Sequence, residues 1–74
     1  MTGEQKFLRK LGQRIRLLRV QKGWSQEELA QQSGLHRTYI SSVEQGKRNL
    51  AALNLRSLAE AYGISISELF TDVE

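Results

Sequence analysis

The stretch that decides the fold runs Gln26-Glu-Glu-Leu-Ala30-Gln-Gln-Ser-Gly34-Leu-His-Arg-Thr-Tyr-Ile40-Ser-Ser-Val-Glu-Gln45. Leu29 and Ala30 fall on the inner face of one short helix, and Ile40 and Val43 on the inner face of a second, at helical spacing. The two meet at Ser33-Gly34-Leu35, where a tight turn favours a residue that tolerates positive φ. Ala30 is small enough to let the helices cross closely. Leu29, Leu35, Ile40 and Val43 then lock the second helix at a set angle to the first. A helix held in this way can project from the surface into a DNA major groove.

Local signals delimit the neighbouring elements. Upstream, Phe7, Leu8, Leu11, Ile15 and Leu18 share one face of a helix expected over about Glu4–Lys22 and closed by Gly23. Ser25 stands three residues before Glu28, the spacing of a capping box that opens the second helix. The third helix, about Arg37–Gln45, stops at Gly46, and Lys47, Arg48 and Asn49 make a polar loop. A fourth helix, about Ala51–Tyr62, buries Leu55, Leu58, Ala59 and Tyr62. After Gly63 a short fifth helix is expected near Ser67–Thr71, capped by Ser67, with Ile64, Leu69 and Phe70 packing back. The alternation Ile64-Ser-Ile66 is too short to define a strand. The reading is all-α: one compact five-helix domain over residues 1–74, with its helix-turn-helix at about 26–45.

Composition narrows the function. The 74 residues include no cysteine and one histidine, which argues against disulfides and a zinc site. His36 with Ser41, Ser42 and Glu44 makes no nucleophile arrangement, because helical spacing points them in different directions. No glycine-rich phosphate loop is present, so neither an enzyme nor a bound cofactor is expected. Apolar runs are too short for a membrane span, and the polar amino end is unlike a secretory signal, so the expected location is cytoplasmic. Residues 1–48 carry ten Lys/Arg against four acids, whereas residues 49–74 carry one against four. A basic front and an acidic back point to a polyanion partner on one side, or else to a solvated charged surface.

From about Gly12 to Phe70 the chain resembles the phage-repressor-type helix-turn-helix family. The resemblance rests on Gly12-Gln-Arg-Ile-Arg, Leu18-Arg19, Trp24-Ser-Gln-Glu-Glu-Leu-Ala30, Tyr39-Ile-Ser-Ser-Val-Glu44, Gly46-Lys-Arg and Leu58-Ala-Glu-Ala-Tyr-Gly-Ile-Ser65. Arg37-Thr-Tyr-Ile-Ser and Arg48-Asn-Leu are further similar to the restriction–modification controller proteins. That likeness implies a dimer that binds upstream of its own gene and of an endonuclease gene, activating at low concentration and repressing at high. It also implies a structural ion pair between Arg19 and Glu44. Other readings stay open: a prophage-type repressor, an antitoxin that silences a toxin, or an RNA- or protein-binding helical module.

Site roles follow from the exposed face of the third helix. Arg37, Thr38, Ser41 and Ser42 are the expected base contacts, Arg37 first because its planar fork suits guanine O6 and N7. Gln26 at the start of the second helix, as in similar proteins, is expected on a DNA phosphate. His36, Tyr39, Gln45, Lys47, Arg48 and Asn49 complete the phosphate set, with capping by His36 and a half-core role for Tyr39 as alternatives. Leu53 lies opposite Leu55, Leu58 and Tyr62 on the helical wheel, and with Leu50 and Ile66 it forms the expected two-fold dimer interface. Such a dimer calls for double-stranded DNA with a near-palindromic operator, and the controller resemblance further implies two dimers on adjacent sites and contact with RNA polymerase.

Overall fold

Serine and threonine caps set where three of the helices begin. In the computed structural model, which describes residues 2–74, the elements are α1 (Gly3–Gln21), α2 (Gln26–Ser33), α3 (Arg37–Glu44), α4 (Ala52–Tyr62) and α5 (Ile66–Leu69). No strand occurs among the described residues. The Thr2 hydroxyl accepts from the Gln5 N–H at 3.1 Å while the Gln5 side chain accepts from the Thr2 N–H. Ser25 with Glu28, and Ser65 with Glu68, repeat this reciprocal arrangement. Each pair satisfies two backbone donors that the helix start leaves free.

The third box corrects the expected fifth helix. Ser65, not Ser67, is the cap, and α5 runs from Ile66 to Leu69 rather than from Ser67 to Thr71. Ser65 has a glutamate three residues on, whereas Ser67 has Phe70 there, so only Ser65 can form the reciprocal pair.

Leu11, Ile15, Leu29, Ile40, Val43, Leu58, Ala59, Tyr62 and Leu69 form the buried core, to which all five helices contribute. Tyr62 crosses it, donating its hydroxyl to the Ile15 carbonyl at 2.7 Å and stacking on Trp24 at 5.9 Å between ring centroids. Burial pushes the Tyr62 phenol well above its ordinary pKa. The long α1 overhangs this core. Phe7, expected on the buried face, is 38% exposed and stacks on Phe70 at the rim, while Leu8 and Leu18 are half-buried. Leu55, expected inside α4, is also half-buried.

Two glycines set the packing of α3. Gly34 adopts φ +74° between α2 and α3, the left-handed turn expected there. Gly12 is buried where α1 crosses α3. A Cβ at that position would collide with the carbonyl oxygens of Val43 and Glu44. The crossing of α1 over α3 therefore demands a residue without a Cβ at Gly12.

Candidate nucleic-acid interface

Helix α3 is fixed from inside and open outside. Ile40 and Val43 anchor α3 in the core, which leaves Arg37 and Thr38 exposed at its first turn and Ser41 and Ser42 half-exposed one turn on. Gln45, just past the helix, is exposed and donates its amide to the Ser41 hydroxyl at 3.2 Å. His36 occupies the N-cap of α3 and is exposed, but its imidazole makes no capping hydrogen bond. The capping alternative for His36 is thus not realised. An imidazole lacks the short reach with which Ser, Thr or Asp accept from the first-turn N–H groups.

The loop after α3 presents Lys47, Arg48 and Asn49, all exposed. Arg48 is not free to wander, because its guanidinium lies over the Tyr39 ring at 5.1 Å. Tyr39 is half-buried, and its hydroxyl accepts from the Asn54 amide of α4 at 3.0 Å. His36, Thr38, Tyr39, Arg48 and Asn54 therefore border one open hollow beside α3. Asn54 was not among the expected site residues. Its link to Tyr39 spans 15 positions and leaves no local pattern. Arg9 of α1 is a second addition. It packs against Gly46 and shares a groove with Gln45 and Lys47, which carries the basic surface from α3 onto α1.

Behind this surface sits the one buried charge pair among the described residues. Glu44 Oε2 accepts from Arg19 Nε at 2.7 Å and Oε1 from Arg19 Nη2 at 3.0 Å, a two-pronged contact between α1 and α3. Arg19 Nη1 also donates to the Trp24 carbonyl at 2.8 Å, next to the Ser25 cap of α2. The hydrogen bond that Arg19 donates to Glu44 holds the Arg19 pKa above its ordinary value against the opposing effect of burial. Arg19 is thus neutralised internally and adds nothing to the outward positive field. Gln26, the first residue of α2, is half-buried and donates its amide to Glu44 Oε1 at 3.2 Å.

The residues expected to pair subunits lie on another part of the molecule. Leu53 on α4 is 67% exposed and Ile66 on α5 is 42% exposed. Leu50 is half-buried against the core and has less surface to offer. Among the described residues no cluster of potential metal ligands occurs, and no helix is long and apolar enough to cross a membrane.

The helix-turn-helix family profile matches residues 15–69. The chain is 46% identical over 66 residues to the control protein C.MunI of a Mycoplasma species, covering 88% of this chain and 89% of that one. It is 48% identical over 69 residues to a hypothetical transcription factor of Neisseria meningitidis, covering 93% of this chain but 65% of the longer relative. Among solved structures, the restriction–modification controller protein C.AhdI of Aeromonas hydrophila superposes with a TM-score of 0.83 at 52% identity. That match covers 85% of this chain and 96% of that one.

Proposed function

The chain belongs to the helix-turn-helix family and is a DNA-binding transcriptional regulator rather than an enzyme, and from that premise we propose that it is the controller protein of a restriction–modification system. It acts in the cytoplasm as a homodimer on DNA upstream of its own gene. Low occupancy activates through contact with RNA polymerase, and a second dimer on an adjacent site represses.

The observation that supports this reading best is the division of the surface. Arg37, Thr38, Ser41 and Ser42 stand on the outer side of a helix whose inner side is locked, which supports reading them as base contacts. Gln26, His36, Tyr39, Gln45, Lys47, Arg48 and Asn49 surround them with donors suited to phosphate oxygens. Leu53 and Ile66 remain exposed elsewhere, where a two-fold partner can cover them and set two reading helices about 34 Å apart on a near-palindrome.

A gel-shift titration with DNA from immediately upstream of this gene, against excess random competitor, tests the proposal. Discrete complexes that resist competitor, with a slower second band at higher protein, are expected. Complexes that vanish with competitor would sink autoregulation.

A further inference from the structure

We infer that Glu44 is a positioning residue for DNA: it orients the Gln26 amide toward a backbone phosphate, and Arg19 serves to make that carboxylate tolerable beside DNA. The inference rests on the DNA-binding reading above. The Arg19–Glu44 pair has more to it than joining α1 to α3. Of the two Glu44 oxygens, Oε2 receives only Arg19, while Oε1 receives both Arg19 Nη2 at 3.0 Å and Gln26 Nε2 at 3.2 Å.

The chemistry of that contact fixes the direction of the amide. An ionised carboxylate can only accept, so the nitrogen of Gln26, not its oxygen, must face Glu44. An amide nitrogen carries two N–H groups. One is engaged by Glu44, and the other stays available at the start of α2, where the first-turn backbone donors also lie. An unguided Gln26 side chain would spread over many rotamers and both amide orientations, of which only a small fraction offers phosphate a donor. Glu44 removes that choice before DNA arrives.

Charge explains why the device needs Arg19. Glu44 is 4% exposed at its side chain, and a bare carboxylate near a phosphate would repel it. The two-pronged guanidinium cancels the charge while leaving Oε1 with room to accept a second donor. Through Nη1 the same guanidinium holds the Trp24 carbonyl, which fixes the start of α2 relative to α3.

The test uses the whole chain and two probes, the upstream duplex and a random-sequence duplex of equal length. Arg19→Met with Glu44→Leu replaces the pair by apolar groups of similar size, a change that folded proteins commonly tolerate. This variant should bind both duplexes roughly threefold to tenfold more weakly than the wild type. Gln26→Ala should show a similar loss, and adding it to the apolar pair should cost nothing more. Arg19→Met with Glu44→Gln, which keeps a neutral acceptor for Gln26, should restore most of the affinity. Wild-type affinity in the apolar-pair variant, losses that add in full with Gln26→Ala, or no rescue by glutamine would each overturn the inference.

If the apolar pair does not fold, the unaltered protein still decides. Side-chain amide protons of Gln26 should exchange with solvent more slowly than those of the exposed Gln31 and Gln32. Equal exchange would overturn the proposed orientation. A wild-type protein that binds neither duplex would instead overturn the DNA-binding reading, while the exchange rates still report on the Glu44 contact.

Discussion

The front and back of this chain use charge in opposite ways. In residues 1–48, which carry most of the Lys and Arg, one ion pair is buried at the centre of three helices, with side-chain exposures of 13% for Arg19 and 4% for Glu44. In the acidic remainder, Arg56 and Glu60 also pair, at 3.3 Å, but are 64% and 70% exposed. The first pair is held by additional bonds to Trp24 and Gln26, whereas the second is a solvated i,i+4 contact. The buried pair holds the region proposed to read DNA. The back keeps its charges in water and leaves Leu53 and Ile66 exposed for a partner. Polarity builds the front, and apolar surface gives the back its use.

Breaking the two pairs separately gives the largest expected contrast. Arg19→Met alone strands a buried carboxylate and should lower the unfolding free energy by about 3–5 kcal/mol. Arg56→Met should change it by less than ~0.5 kcal/mol. Urea unfolding measures both, and equal losses would erase the distinction between front and back. Next in size is Leu53→Asp, which puts a charge into the proposed subunit contact and should cost about 2 kcal/mol or more of association. Sedimentation should then find a folded monomer in place of the dimer expected of the wild type, and an unchanged dimer would move the interface elsewhere.

Within the front, the reading and clamping groups should separate. Arg37→Ala should lose about 1–3 kcal/mol of discrimination at particular base pairs. Arg48→Ala should weaken binding to every sequence and reduce the salt slope by about one. Competition assays at several salt concentrations measure both, and equal losses on specific and random DNA would merge the two roles. The smallest effect concerns Tyr62, whose hydroxyl bond to Ile15 should contribute about 0.5–1.5 kcal/mol. Its raised pKa means that the unfolded chain gives up this proton first, near pH 10, so stability falls as pH rises beyond that value. Tyr62→Phe should flatten that alkaline decline, and an unchanged decline would assign it to other groups.

What could be read from the sequence was mostly local. Ser25 with Glu28 and the left-handed Gly34 are short-range signals, and both ends of α2 stand where these residues place them. The same logic applies to Ser65 with Glu68, which cap α5 where Ser67, lacking a glutamate three residues on, does not. Long-range contacts were hidden. Gly12 matters because a carbonyl more than 30 residues later lies against it, and Asn54 because it meets Tyr39 on another helix. The Arg19–Glu44 pair was reached only through family resemblance, since two charged residues 25 positions apart carry no pattern of their own. The link from Glu44 to Gln26 was beyond both routes.

The most direct test of the division between a reading front and a pairing back is a hydroxyl-radical footprint on the upstream DNA at saturating protein. Paired protected patches related by two-fold symmetry, with centres one helical turn or about 34 Å apart within each dimer site and a second such pair on the adjacent site, are the expected result. A single protected half-site at saturation would contradict the account, because it would mean that the exposed face of α4 and α5 joins no second subunit on DNA.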